Sequence, residues 1–223
     1  MLTDPSTISM ILVGIGESLY MVFISSVVSY VIGIPLGLIL VVADKDGIAP
    51  CPIPFLHKFL GLVINLLRSV PFIILLIMVL PFTRLVVGTT LGAKAVIVPL
   101  VISAAPYIAR MVESSFREVD AGVIEAAKSM GASTFQIIWK VLLPEAKPAL
   151  LVGAAISVTT ILGYSAMAGF VGGGGLGAIA INYGYYRYQV DIMLVTVALL
   201  VIIVQIIQET GMGLSKFLDK RIR

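Results

Sequence analysis

The sequence has few of the residues on which most metal sites and redox sites depend. Among its 223 residues there are one cysteine, one histidine and one tryptophan, and only 12% of the residues carry a charge. A single cysteine, Cys51, excludes an internal disulfide and a cysteine metal cluster. We therefore expect no metal and no cofactor.

The sequence also lacks a nucleotide-binding motif. The stretch 88–94 resembles a phosphate-binding loop, but it does not end in Gly-Lys-Ser or Gly-Lys-Thr. The glycine string 172–177 has no strand before it and no ribose-binding acid after it, so it is not a dinucleotide fingerprint. We predict that the chain is not an enzyme and that any ATP is handled by a partner. A nucleic-acid partner is not expected.

Apolar residues are abundant instead. They make up 59% of the chain, and the mean hydropathy is +1.10. Such a composition is typical of a polytopic membrane protein, in which each helix needs about 20 apolar residues to cross the bilayer. We predict an all-α fold in one transmembrane domain, residues 1–223, with five spans at about 15–43, 59–82, 93–112, 147–170 and 190–210. No Lys or Arg precedes residue 45, so a cleavable signal peptide with a basic n-region is not expected.

The fifteen basic residues are distributed unevenly between the predicted loops. Three lie on one side of the predicted membrane, namely Arg84, Lys94 and Arg187, and Arg68 lies within a span. Eleven lie on the other side: Lys45, Lys58, Arg110, Arg117, Lys128, Lys140, Lys147, Lys216, Lys220, Arg221 and Arg223. Because cytoplasmic loops are enriched in Lys and Arg, this predicts an external N-terminus and a cytoplasmic C-terminus.

The longest stretch that cannot lie in lipid is 120–148, which we call the elbow. It is predicted to form two short helices. Gly131 ends the first, and Ser133 with Gln136 matches a capping box at the start of the second. Pro144 is predicted to end the second helix. Its predicted apolar stripe consists of Phe135, Ile138, Trp139 and Leu142. The elbow either offers a surface to a partner or lies flat on the membrane.

Two spans carry small residues at every fourth position. These residues are Ser25, Ser29, Gly33 and Gly37 in the first span and Ala149, Gly153 and Ser157 in the fourth. Such ladders let helices pack closely in a membrane. They predict helix seams within or between subunits, although glycine is also common in membrane helices for no special reason.

Three residues are candidates for a translocation pathway. Arg68 would lie about 13 Å inside a helix that begins near Phe59. An arginine at that depth faces the protein interior or a cavity, unless it reaches back to the headgroups. Ser165 and Met167 lie in the small-residue segment 163–169, which suits either a pathway wall or ordinary helix packing. Met167 would offer an adaptable apolar surface.

Several motifs resemble a known transporter family. Glu125-Ala126-Ala127, Gly131 and Val141-x-Leu143-Pro144 resemble the EAA signature of importer-type ABC permeases, with Val141 where isoleucine is usual. Nearly the whole chain resembles the permease subunit of methionine-importing ABC transporters. This wider resemblance rests on Arg68-Ser-Val-Pro-Phe, Pro81-Phe-Thr-Arg84, Ala104-Ala-Pro106, Ile108-Ala-Arg-Met-Val-Glu113 and Gly163-Tyr-Ser-Ala-Met167.

The resemblance implies a type I importer fold in the bacterial inner membrane. It implies a homodimer that works with two cytoplasmic ABC ATPase subunits and an extracytoplasmic methionine-binding protein or lipoprotein, surrounded by membrane lipid. Methionine, in the L form and also the D form, would move inward by alternating access. The residues implied to couple the spans to the ATPase are Glu125, Ala126, Ala127, Gly131, Leu143 and Pro144.

Two other functions remain open at this point. An ABC permease for another small nutrient would have similar residue chemistry, because an external binding protein would set much of the specificity. A secondary transporter working without ATP would need an acidic residue in the middle of a span for a proton relay. Two glutamates, Glu17 and Glu209, fall in spans, both near the ends.

Overall fold

The structure is a computed structural model that describes residues 4–45, 47–50 and 54–218. In this part of the chain all regular structure is helical and no strand occurs. The α-helices are α1 (Pro5–Val42), α2 (Pro54–Ser69), α3 (Phe72–Val87), α4 (Ala93–Arg117), α5 (Ala121–Ser129), α6 (Thr134–Ile137), α7 (Leu143–Met167), α8 (Gly175–Ile179) and α9 (Val190–Leu218). The sole cysteine and the last five residues lie outside the described residues.

Four helices are long and apolar enough to cross a membrane. They are α1, α4, the continuous helix Thr134–Val171 and α9. Helices α2 and α3 together pass the same test but are bent by 108°. The described part of the chain therefore has four spans, or five if the bent pair counts as one.

The bent pair corrects the prediction of one continuous helix over 59–82. Helix α2 ends at Ser69, and α3 begins after Pro71. Proline has no N–H to donate and disfavours helical geometry in the residue before it, here Val70. Arg68 consequently lies in the last turn of α2 rather than deep inside a long helix.

The second correction concerns Pro144, which does not end a helix. Helix α6 continues through a π-helical turn, Ile138–Leu142, directly into α7, and Pro144 lies within α7. In this turn the N–H of Leu143 donates to the carbonyl of Ile138, five residues earlier. Such a wider turn is one way in which a helix absorbs an interruption of its usual i→i−4 bonds. The second elbow helix is thus the start of the fourth span.

Contacts divide the chain into two units, each drawing on α1, α4, α7 and α9. The first comprises Met1–Ser29, Val70–Ala104 and Ser157–Gln208, and the second comprises Tyr30–Ser69, Ala105–Ile156 and Glu209–Arg223. In the first unit, the rings of Phe72 and Tyr164 stack at 4.6 Å between centroids.

The small-residue ladders form helix seams within the second unit. A Cβ on Gly33 would lie 2.6 Å from Cγ2 of Ile108, and one on Gly37 would lie 2.5 Å from the carbonyl oxygen of Ala109. Likewise, a Cβ on Gly153 would lie 2.8 Å from Sδ of Met111. Helix α4 therefore packs against both α1 and α7 at distances that only glycine permits. The prediction of close seams is confirmed for these three glycines.

Candidate functional site

The first elbow helix, α5, has a defined start and end. Asp120 caps it by accepting the N–H of Gly122 at 2.7 Å. At its end the N–H of Ala132 reaches the carbonyl of Ala127 at 3.1 Å, and Gly131 adopts φ +76° between them. This left-handed conformation is the one that a helix-ending glycine provides. The predicted role of Gly131 in ending the helix is confirmed.

The second elbow helix begins with the predicted capping box. Ser133 Oγ accepts the N–H of Gln136 at 3.3 Å, and Gln136 Oε1 accepts the N–H of Ser133 at 2.8 Å. Two N–H groups that have no partner inside the helix are thereby satisfied. The angle between the two elbow helices is therefore set by residues 131–133 themselves.

The predicted apolar stripe of the second helix is partly wrong. Ile137 and Leu142 are buried, whereas the rings of Phe135 and Trp139 are exposed and pack together at 5.9 Å. The inward-facing residues Ile137, Leu142 and Ala146 are separated by five and then four positions. The π turn explains why the buried residues differ from the predicted stripe, because it adds one residue between successive inward-facing positions.

The residues of the EAA resemblance lie on different faces of the elbow. Glu125 and Ala126 are exposed, but Ala127 is 3% exposed and packs inside the chain. A bulky residue at position 127 would therefore disturb the packing of the elbow itself. Leu143 is half-buried and Pro144 is exposed.

An ion-pair network lies in the same unit as the elbow. Arg117 donates to Asp44 Oδ2 at 2.7 Å and to Glu113 Oε1 at 3.1 Å, and Arg110 donates to Glu113 Oε2 at 2.6 Å. Arg110 also donates to the carbonyl of Gly61 at 2.9 Å. The network thus connects α4 with α2 and with the segment after α1.

Only one link of this network follows from a local spacing in the sequence. Glu113 and Arg117 are four residues apart, a spacing at which side chains of one helix can pair, and Glu113 is only 8% exposed. The signal that was missed is Arg110, one turn before Glu113. The elbow is tied to the same region, since Lys128 Nζ donates to the carbonyl of Gly47 at 3.3 Å.

The ion pair with Arg117 makes the stability of this region depend on pH. The guanidinium donates a hydrogen bond to Asp44 and holds the pKa of that carboxyl below its ordinary value of 3.8. A lowered pKa in the folded state gives stability that is present above pH 3.8 and is lost as the pH falls through the folded-state pKa. We expect the purified protein to be more heat-stable than its Asp44→Asn variant at neutral pH, and this difference to vanish at strongly acidic pH. A difference that stays constant across this range in detergent melting curves would contradict the assignment.

The three pathway candidates occupy different environments. The Arg68 side chain is exposed, with its guanidinium carbon 5.9 Å from the centre of the Tyr107 ring. Ser165 is buried, and its hydroxyl donates to the carbonyl of Leu162 at 2.7 Å. Met167 is 46% exposed at the last residue of α7.

Glu17 has a structural role that sequence reasoning missed. Its carboxylate accepts the N–H of Gly175 at 2.7 Å, and the neighbouring Ser18 accepts the N–H of Leu176 at 2.9 Å. These two bonds join α1 to the first residues of α8, and they satisfy N–H groups that have no partner in that helix. They account for an acidic side chain inside an apolar span.

Comparison with known proteins assigns the family. Residues 52–223 match the family described as the binding-protein-dependent transport system inner membrane component. The chain belongs to this family. The permease is a multi-pass membrane protein and a transport subunit rather than a catalyst.

Named relatives of the permease cover most of its length. It is 50% identical over 212 residues, 95% of this chain and 93% of the other, to a probable D-methionine transport system permease protein from Vibrio cholerae. It is 47% identical over 165 residues, 74% of each chain, to a methionine import system permease protein from Bacillus subtilis.

Solved structures confirm the predicted fold class. An inward-facing structure of the MetNI methionine ABC transporter has a TM-score of 0.94 and 43% identity, and covers 98% of this permease and all of that chain. A structure of an amino acid ABC transporter with histidines has a TM-score of 0.77 at 17% identity, which shows the shared fold alone. The all-α permease fold of an ABC importer is therefore established for this chain.

Proposed function

We propose that this permease imports methionine as the membrane-spanning subunit of an ABC transporter. The observation that carries the proposal is the agreement with the MetNI permease over nearly the whole chain. The names of the Vibrio cholerae and Bacillus subtilis relatives support the same substrate. The name of the Vibrio cholerae relative, which specifies D-methionine, supports the D isomer as a substrate, and we propose the L isomer as well.

The proposed assembly contains two copies of the permease, two cytoplasmic ATPase subunits and an extracytoplasmic methionine-binding protein. The family description, which names a binding-protein-dependent system, supports the last of these. In the proposed orientation the elbow and the C-terminus face the cytoplasm and the N-terminus faces outward, as the positive-inside rule predicts from the basic residues.

The elbow is the proposed contact with the ATPase. Glu125 and Ala126 are exposed and contact the ATPase in this proposal, whereas Ala127 is packed inside the chain. Gly131 sets the angle between the helices. Leu143 and Pro144 lie in the continuous helix Thr134–Val171, which forms the fourth span. A movement of the elbow is therefore transmitted to the span through one helix.

Arg68, Ser165 and Met167 remain proposed pathway residues with separate roles. Met167 has an exposed thioether side chain that adapts to apolar substrates. Ser165 contributes a small side chain that leaves room in the pathway. Its hydroxyl already donates to a carbonyl of its own helix. Arg68 contributes a positive charge near Tyr107. In the proposed pathway, the carboxylate of methionine contacts this charge.

The proposal is tested by transport in proteoliposomes. The permease is reconstituted with its ATPase and the binding protein, and uptake of radiolabelled L-methionine and D-methionine is measured with and without ATP. We expect ATP-dependent accumulation of both isomers and no competition by leucine, histidine or glutamine. Accumulation of another amino acid and not of methionine would show that methionine is not the substrate. Uptake driven by an ion gradient without ATP would overturn the ABC mechanism.

A further inference from the structure

An open cavity of about 610 Å³ lies at the end of α3 and in the turn that follows it. Gly88 defines the turn, because it adopts φ +82° and donates its N–H to the carbonyl of Arg84 at 2.9 Å. The residues that line the cavity all belong to this stretch: Leu80, Pro81, Arg84, Leu85, Gly88 and Thr90. The cavity therefore includes both ends of the motif Pro81-Phe-Thr-Arg84, which the proposed import of methionine does not use.

The polar groups of the cavity favour an anion. Arg84 is exposed, and no described residue forms a hydrogen bond, an ion pair or a ring contact with its guanidinium. The hydroxyl of Thr90 likewise has no hydrogen-bond partner among the described residues. The sequence has no Asp or Glu from residue 47 to residue 112, so the charges nearest to the cavity along the chain, Arg84 and Lys94, are both positive. A guanidinium and a hydroxyl are donors that suit the oxygens of a phosphate.

An apolar stripe on α3 continues from the cavity. Ile74, Met78, Pro81 and Leu85 follow one another at helical spacing, and all four are exposed. Leu85 is 85% exposed and lines the cavity together with Pro81, so the cavity and the stripe share a wall. Helices α2 and α3 together are long and apolar enough to cross a membrane. The stripe is therefore suited to acyl chains, and Arg84 at the end of the helix is suited to headgroups.

We propose that the cavity binds the phosphate of an anionic phospholipid whose acyl chains lie along the stripe on α3. Arg84 donates to the phosphate oxygens through its planar fork, and Thr90 donates a further hydrogen bond. The acyl chains contact Leu85, Pro81 and Met78. A soluble phosphate would satisfy the two donors but would leave the stripe uncovered. An acidic protein surface would match the charge but would require the stripe to lie in water, so a lipid is the occupant that fits both features.

The test compares lipid binding to the purified permease–ATPase complex by native mass spectrometry. The probes are phosphatidylglycerol, phosphatidylcholine, glycerophosphoglycerol without acyl chains, and inorganic phosphate. The variants are Arg84→Gln, Arg84→Lys and Thr90→Val, and the fold is expected to persist because neither side chain has a partner in the described part of the chain. The matched control is Arg187→Gln, which makes the same chemical change at an exposed arginine outside the cavity.

We expect phosphatidylglycerol to bind more tightly than the other three probes. Arg84→Gln should weaken its binding about tenfold, or about 1.4 kcal/mol, because the variant loses both the charge and the hydrogen bonds to the phosphate. Arg84→Lys should lose less, since lysine keeps the charge but not the planar fork. Thr90→Val should lose about threefold, as expected for one hydrogen bond. Arg187→Gln should bind like the unchanged protein.

Several results would overturn the proposal. They are equal binding of phosphatidylcholine and phosphatidylglycerol, an equal loss in Arg84→Gln and Arg187→Gln, and binding of inorganic phosphate as tight as that of the lipid. Weaker association of the extracytoplasmic binding protein with Arg84→Gln, at unchanged lipid binding, would also overturn it and would assign the cavity to a protein partner. The inference concerns the membrane placement of the permease and does not depend on its substrate.

Discussion

Replacing Gly131 by valine is expected to abolish uptake while the permease stays inserted in the membrane. Gly131 has φ +76°, where a β-branched residue is strongly disfavoured. Nothing lies within 4 Å of the position that a Cβ would take, so the effect comes from backbone strain and not from a clash. Strain of about 2 kcal/mol would shift the balance between the formed and the disrupted elbow by roughly 30-fold.

The measurements are substrate-stimulated ATP hydrolysis and methionine uptake in proteoliposomes. Gly213→Val is the matched control, because Gly213 lies within α9 and also has nothing within 4 Å of its Cβ position. Gly131→Asn should retain intermediate activity, since asparagine tolerates the left-handed conformation better than other residues. Normal uptake by Gly131→Val would show that the angle of the elbow does not couple ATP hydrolysis to transport.

Removing the charge of Glu113 is the second change with a large expected effect. Its side chain is 11% exposed, and its carboxylate accepts hydrogen bonds from both Arg110 and Arg117. Glu113→Gln would leave Arg110, 23% exposed, without its carboxylate partner. Breaking a buried ion pair costs roughly 3 kcal/mol because the remaining charge stays away from water. Arg117 is half exposed and keeps Asp44, so most of the loss comes from Arg110.

The thermal midpoint of the purified permease in detergent measures this loss. Glu118→Gln is the control, because it makes the same chemical change at an exposed residue five positions further along the chain. The double variant Arg110→Met with Glu113→Met should recover part of the stability, since replacing both partners by apolar residues removes the unpaired charge. Equal midpoints for Glu113→Gln and Glu118→Gln would mean that the network contributes little.

Features that depend on neighbours within one helical turn could be predicted from the sequence. The capping box of Ser133 and Gln136 and the left-handed Gly131 are of this kind, because each uses atoms a few residues apart. The spans were found from hydropathy, which needs only about 20 consecutive residues. The ladder glycines were identified for the same reason, as a spacing of four places residues on one face of a helix.

The tertiary structure decided what depends on distant parts of the chain. Asp44 and Arg117 are 73 residues apart, and only the packing of α1 against α4 brings them to 2.7 Å. Glu113 is only 8% exposed, which its spacing from Arg117 does not indicate. The π turn moved Ile137 inward and left Phe135 and Trp139 exposed. A local pattern indicates which residues share a helix face, but the neighbouring helices determine which face is buried.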